Sequence, residues 1–250
     1  MRILLTNDDG IESEGIRALR DILDQDHDVW VFAPDGERSA MSHYITVKGP
    51  VRCSRVGPSA TACSGSPADC VILAHLGAVP FSPEIVISGI NRGPNLGSDI
   101  IYSGTAAAAR QAALQGTPGI AVSLNAHEDP FHFENAAAFV SEHLAMLVRL
   151  WNEHHFININ IPNSPIRHDE VEITTPCNRR YTDRLSRFNA PNGDEYFFVD
   201  GEPLAGDLLP GTDWHAVHSG VVSISPIFLN PVNHEDDEPY RSALFSRAGA

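Results

Sequence analysis

The first residues that could do chemistry are two adjacent carboxylates. Asn7-Asp8-Asp9-Gly10 directly follows Arg2–Thr6, an apolar run that reads as a buried strand. Two anions about 4 Å apart repel by roughly 4 kcal/mol at an effective dielectric of about 20. A divalent cation would offset that repulsion, and hard carboxylate oxygens suit Mg2+, Mn2+ or Ca2+. Asp-Gly is also a common turn dipeptide, and exposed carboxylates in a turn need no metal. A second polar loop, Pro34–Ala40, follows the strand-like run Asp28–Ala33. Its Ser39 hydroxyl offers a cation a neutral oxygen, and Arg38 and the nearby His43 could meet a phosphate.

The third loop is richer. Ser88–Gly97 carries three glycines and two asparagines directly after the strand-like run Glu84–Ser88. Ser103-Gly104-Thr105 then opens an alanine-rich helix that Gly116 stops. A helix N-terminus with hydroxyls and a glycine favours anions, because its N–H groups lack intrahelical acceptors and the dipole is positive there. Asn91 can offer a carbonyl oxygen to a cation, and Asn95 an amide N–H to a phosphate oxygen. Ser103 would serve equally well as a plain helix cap. A cation site and an anion site on one sheet edge describe metal-assisted hydrolysis of a phosphate ester. The metal would acidify a water, and donors at the helix start would hold the phosphoryl oxygens.

These loops need strands and helices to carry them, and the sequence supplies both in alternation. Ser13–Leu23 has a helical apolar stripe at Ile16, Leu19 and Leu23. Ile45–Val56 reads as one or two short strands around Gly49-Pro50. Ser66-Pro67-Ala68-Asp69 is a helix start, with Ser as cap and Pro in the first turn, and the helix is expected to run to about Leu76. Ile120–Leu124 is strand, Glu134–Trp151 helix and Phe156–Ile161 strand. The repetition predicts an α/β fold: a Rossmann-like, mostly parallel sheet with helices on both faces. Ligands of such sheets bind at the carboxyl ends of the strands, where the three loops lie. From about Glu170 to Ser225 the helical stripes vanish. Short β-like runs (Val171–Thr174, Tyr196–Val199, Val221–Ile224) surround the hairpin signal Asn192-Gly193. The expectation is one domain over 1–250: a core to about 170, a β-rich oligomerisation arm to about 220, then a return and tail over 221–250.

Composition excludes several functions. The chain has 250 residues, 42% hydrophobic and 20% charged, enough for a sizeable core and too apolar for a disordered chain. Seventeen Lys+Arg against 32 Asp+Glu leave a net charge of −15, which disfavours a nucleic-acid duplex as partner. Lys48 is the only lysine; Gly49-Pro50 follows it, so no Walker A loop exists. No apolar stretch is long enough to span a membrane, and the N-terminus turns polar too early for a secretory signal. A cytoplasmic protein is expected. The four cysteines lack CxxC spacing and read as free thiols.

The runs MRILLTNDDG, APDGERSA and SGINRGPNLGSDIIYSGTAAAA closely resemble the survival protein E (SurE) family of metal-dependent nucleotidases. Gly65–Cys70, Asn158–Pro162 (NINIP) and Gly220–Pro226 (GVVSISP) echo further family motifs, so the resemblance spans residues 1 to about 226. It implies removal of phosphate from nucleoside 5′- and 3′-monophosphates, some activity on short polyphosphate, and a dimer or tetramer built through the β-rich arm. By motif, Asp8, Asp9, Ser39 and Asn91 would hold one divalent cation, with Asp8 and Asp9 catalytic. Asn95, Ser103, Gly104 and Thr105 would hold the phosphate. The sequence departs from the family where Ala106, Arg110 and Gln111 stand in place of a Val and a Glu-Gly pair. Arg110, about two turns into its helix, is expected to alter packing or an ion pair.

Two other readings share the acid pair. An aspartyl-phosphate phosphatase would use it as nucleophile and acid, with Lys48 as the only clamp. A phosphate-receiver module would bind Mg2+ there without turnover. Tyr181 and Tyr196 could stack on a base or pack the arm. His154-His155 reads as a loop or helix end, and Leu147 and Trp151 as core.

Overall fold

A computed structural model describes residues 1–203 and 208–230 of the chain. The tail expected beyond residue 230 lies outside the described residues.

The central element is β1 (Arg2–Thr6), whose residues after Arg2 are all buried. It pairs in parallel with β2 (Asp28–Pro34) on one side and β5 (Ile85–Arg92) on the other. Parallel strands continue through β6 (Gly119–Asn125) and β7 (His155–Pro162). The far edge is antiparallel to β7: β11 (Val222–Phe228) returns along it, and β8 (Val171–Ile173) follows β11. On the near edge β4 (Ala60–Cys63) runs parallel to β2 and carries β3 (Cys53–Gly57) antiparallel to it. The nine strands lie in the order β3-β4-β2-β1-β5-β6-β7-β11-β8.

Both faces are covered, as a parallel sheet requires. Alternate residues of β1 serve different layers. Ile3 and Leu5 join Ile16, Leu19 and Leu23 of α1 (Glu14–Leu23) and Phe139, Val140, Leu144 and Leu147 of α4 (Phe133–Leu150). Leu4 joins Phe32, Val86 and the other pair, α2 (Pro67–Leu73) and α3 (Gly104–Leu114). The six alanines of α3 are all buried, so the helix lies close on the sheet. Trp151, partly buried, packs against the first of these layers and against a further cluster that includes Ala109, Ala113 and Phe156.

Three sequence expectations shift. The segment before Cys53 forms no strand, and β4, which was not foreseen, pairs with β2 instead. Its four residues, ATAC, are too small and too few to give a readable alternation. Helix α2 ends at Leu73 and widens into a turn over Ala74–Ala78 that contains Gly77 at φ 98°. The stretch expected as an arm is divided: β8 and β11 belong to the main sheet, and only β9 (Tyr181–Asn189) and β10 (Glu195–Pro203) form a separate antiparallel hairpin. A short helix, α5 (Asp213–His218), also lies in this region. Six residues hold too little of a helical stripe to be seen; its signal is the Thr212 cap, which accepts the His215 N–H.

Candidate active site

The loop after β1 is pinned before it does anything else. Asn7 Nδ2 donates to Gly10 O (2.8 Å) and to Ser13 Oγ (2.7 Å), tying the turn to the start of α1. Arg38 N–H donates to Asp8 O (2.7 Å), which ties the loop after β2 to the same turn. Asp8 is thereby held almost fully buried, 3% exposed, at the carboxyl edge of the sheet.

The N-terminus of α3 faces it. The Thr105 hydroxyl donates to Asp8 Oδ1, and the Thr105 backbone N–H donates to the same carboxylate. A Cβ on Gly104 would stand 2.8 Å from Asp8 Oδ2, so only glycine permits this approach. Ser103 caps the helix, its Oγ accepting from Ala106 N (3.0 Å). The site also needs a kink in β5. After Ser88 the register with β6 slips, and Asn91 comes opposite Ser123. Gly89 has φ 140°, and a Cβ there would lie 2.3 Å from Val122 O. The slip brings Arg92 N–H onto Asp9 Oδ2 at 3.2 Å.

Charge is concentrated here. Burial raises the Asp8 carboxyl above its ordinary range, against the pull of the Thr105 donors. Burial first, then the neighbouring Asp8 charge, pushes Asp9 up to about 7. Glu37 adds negative charge to both. The nearby arginines turn elsewhere: Arg38 to Asp35 (2.8 Å) and Arg92 toward Glu14 (3.9 Å). Among the described residues, no three His, Cys, Asp or Glu side chains are grouped for a metal. A cation at this corner would therefore need neutral oxygens besides the two carboxylates. Asn91 could give one: its Nδ2 donates to Gly93 O (2.8 Å), and its Oδ1 can accept. The donor chemistry fits a hard divalent ion. Beside Asp9 a cleft of about 340 Å3 opens, lined by Glu12, Glu14, Asp35, Glu37, Arg92 and Phe133 among others.

The expected residues are not all in one state. Asp8, Gly104 and Thr105 touch directly, and Ser103 caps the same helix. Ser39 is exposed, and its hydroxyl donates to Glu37 Oε1. Asn95 is buried, and its Nδ2 donates to Ser123 Oγ (2.8 Å). His43 is held by Gln111 Oε1 (2.9 Å), and burial holds its imidazole below the ordinary range. Arg110 forms no ion pair among the described residues; its guanidinium lies over the Phe156 ring at 5.3 Å, which makes it a packing residue. Tyr181 donates to Asp99 Oδ2 (2.7 Å) beside Arg179, at the root of the hairpin. Tyr196 stands exposed on β10.

Four supporting residues were not foreseen. Asn160 Oδ1 accepts the Asn95 N–H (2.8 Å), and the amides of Asn158 and Asn160 both donate to Asn95 O (2.9 and 3.0 Å). Asp213, fully buried, accepts from Gly97 N (2.7 Å) and Cys177 N (2.9 Å). Ser123 holds the Asn95 amide. The signal for the asparagines was present: polar side chains at alternate positions of an otherwise apolar buried strand, NINIP, need partners.

Similarity to known proteins points the same way. A model of the family described as Survival protein SurE matches residues 3–183. The 5'-nucleotidase SurE of Citrifermentans bemidjiense is 40% identical over 245 residues, 97% of this chain and 98% of that protein. The 5'-nucleotidase SurE of Stenotrophomonas maltophilia strain R551-3 is 40% identical over 239 residues, 94% of this chain and 92% of its own. The crystal structure of the SurE protein from Aquifex aeolicus superposes with a TM-score of 0.84 at 33% identity, covering 96% of this chain and 98% of that one. With motifs, sheet order and whole-length similarity in agreement, the chain belongs to the SurE family.

Proposed function

We propose that the protein is a divalent-metal-dependent 5′-nucleotidase. It would release phosphate from nucleoside monophosphates, with 3′-monophosphates and short polyphosphates as further substrates. One observation carries the reading: the buried Asp8 carboxylate is seated on the first turn of α3, beside Asp9, which accepts the N–H of Arg92, the residue after Asn91. Curated relatives at 40% identity, named 5'-nucleotidase SurE, support it.

Asp8, Asp9, Ser39 and Asn91 would hold one Mg2+ or Mn2+ (Ca2+ would also fit these oxygens). When bound, the ion supplies positive charge that lets both carboxylates ionise together and acidifies water at the site. The chain's own groups do the rest. Thr105 fixes the Asp8 carboxylate in one orientation. With Ala106 N–H taken by Ser103 Oγ and Thr105 N–H by Asp8, the Gly104 N–H remains for a phosphoryl oxygen. The Ser103 O–H can donate while its oxygen accepts, and Asn95 retains a second amide hydrogen. These donors would gain strength as charge builds on the phosphoryl group. Either Asp8 or Asp9 would take the proton of the attacking water.

The two competing readings need a lysine beside the acid pair. Lys48 is exposed, and among the described residues it contacts neither Asp8 nor Asp9. No helix among the described residues is long and apolar enough to cross a membrane. A homodimer or homotetramer is proposed through the β9–β10 hairpin, which exposes Leu185, Phe188, Tyr196, Phe197, Phe198 and Val199.

The deciding experiment screens phosphate release from 5′- and 3′-monophosphates and short polyphosphates, with Mn2+ and in chelator. Release from 5′-monophosphates that chelator abolishes and Mn2+ restores is expected. Equal release in chelator, or a trapped covalent aspartyl-phosphate, would overturn the mechanism.

A further inference from the structure

Three of the four cysteines stand in a row at the β3–β4 edge. Cys53 and Cys63 are directly opposite one another across the antiparallel pair. The flanking pair Arg52 and Ser64 carries the ladder bond, Ser64 N–H to Arg52 O at 2.9 Å. Cys53 and Cys63 therefore occupy the neighbouring non-hydrogen-bonded position, where opposed side chains approach most closely. The row runs inward. Cys53 is exposed, Cys63 is fully buried, and Cys70 on α2 lies behind it, also fully buried. The thiols of Cys53 and Cys70 both neighbour Cys63 closely enough to bear on its titration. Gly65 N–H donates to the Cys63 sulfur, at 3.3 Å.

We propose that Cys53 and Cys63 form a reversible disulfide on exposure to a hydroperoxide. Cys53 is the point of attack because it alone of the three faces solvent. The Cys53 proton passes to the Cys63 sulfur as the Cys53 sulfur attacks one oxygen of the hydroperoxide; an S–O bond forms, the O–O bond breaks, and the leaving oxygen takes that proton from Cys63 and departs as water or an alcohol. Cys63, again a thiolate, then attacks the Cys53 sulfenic acid; the S–S bond forms, the S–O bond breaks, and the hydroxide that leaves takes a proton from solvent to become water. The two thiols together lose two electrons and the peroxide gains them. The thiol hydrogen from Cys70, aided by Gly65, holds Cys63 below the usual thiol range, at about 7, so a thiolate is on hand to close the bond. Cys70 serves as donor and is not joined.

The bond would sit beneath the metal loop. Cys63 O accepts Asp35 N–H (2.7 Å), and Asp35 pairs with Arg38 and with Arg52, the residue next to Cys53 (2.8 Å each). Oxidation would therefore brace the base of the loop that carries Ser39, and the melting temperature of the full chain should rise by several degrees.

The test treats the full-length protein with hydrogen peroxide, alkylates remaining thiols and measures intact mass and peptide linkage. Native protein should lose two alkylatable thiols, recover both with reductant, and yield a cross-linked peptide containing Cys53. Cys70→Ser should still form the link. Cys53→Ser, a change at an exposed position, should lose none of its remaining thiols. Cys53 driven to sulfinic acid with Cys63 still alkylatable would overturn the proposal. So would a link in Cys63→Ser equal to that of the native chain, or two thiols lost in Cys53→Ser.

Discussion

The Thr105 hydroxyl donates to Oδ1 of Asp8, joining the first turn of α3 to the loop after β1 across 97 residues of sequence. Both groups are buried. Thr105→Val keeps the shape and removes the donor, leaving a buried carboxylate short of a partner. Such a loss costs about 2 kcal/mol. If it falls on the positioning of Asp8 in the transition state, kcat drops roughly thirtyfold. Thr105→Ser restores the hydroxyl and should recover most of the rate. Phosphate-release kinetics of both variants separate this role from simple packing, because Ser packs worse than Val yet should act better.

Asp8 itself carries more. Asp8→Asn retains the size and the Thr105 contact but halves the negative charge of the acid pair. Phosphate release should fall at least about a hundredfold. Folding should be intact, since a neutral amide is easier to bury than a carboxylate. The check is activity beside a thermal melt. Full activity of the variant, above all in chelator, would remove Asp8 from the mechanism.

Cation binding should be linked to protons. Asp9 titrates at about 7 in the folded chain, above the roughly 3.9 of an unfolded aspartate. The folded state thus binds the extra proton more tightly. Its contribution to stability is complete below about pH 4 and is lost as pH rises through 7 in the cation-free protein. A cation displaces that proton. Its affinity should therefore climb by up to about tenfold per pH unit between those limits and level off above. Titration calorimetry with Mn2+ at several pH values measures the slope directly. A flat affinity across that window would mean Asp9 is not a ligand.

Gly104 tests the approach of helix to loop. Gly104→Ala places a methyl group within 2.8 Å of Asp8 Oδ2 and 2.9 Å of Asp8 Cβ. Alanine is otherwise favoured over glycine in a helix by about 1 kcal/mol, so the helix should not unfold. The carboxylate must move instead. Activity should fall sharply while the melting temperature changes by only a few degrees. A variant with native kcat/KM would show that the contact is slack.

Much of this was legible in the sequence, for physical reasons that differ by region. β1, β5, β6 and β7 are buried on both faces, so they appear as continuous apolar runs, and α1 and α4 show their stripes. The acid pair and the Ser103 cap were legible because adjacent carboxylates and a hydroxyl-glycine-hydroxyl helix start each demand a partner. β4 was not, because ATAC has no alternation. β9 was not, because YTDRLSRFN is exposed along its length and carries no apolar face to declare it. The partner of each loop also escaped notice. That Thr105 would spend its hydroxyl on Asp8, or Ser39 on Glu37, depends on distances only the fold creates.

Asn160 offers the last test, of a residue that holds another in place. Its side chain accepts the Asn95 N–H at 2.8 Å and donates to Asn95 O at 3.0 Å, and Asn158 donates to the same oxygen. All three asparagines are buried, and among the described residues the hydrogen bonds of their side chains run to one another and to Ser123. Asn160→Ala removes two of these bonds and leaves the buried Asn95 N–H without an acceptor, at a stability cost of roughly 1–3 kcal/mol. If Asn95 meets the phosphate, the loop carrying it loosens and KM for a nucleoside monophosphate should rise about tenfold, with kcat less affected. A KM unchanged in Asn160→Ala, in protein that still melts cooperatively, would remove Asn95 from the phosphate site and leave the α3 N-terminus to hold the substrate alone.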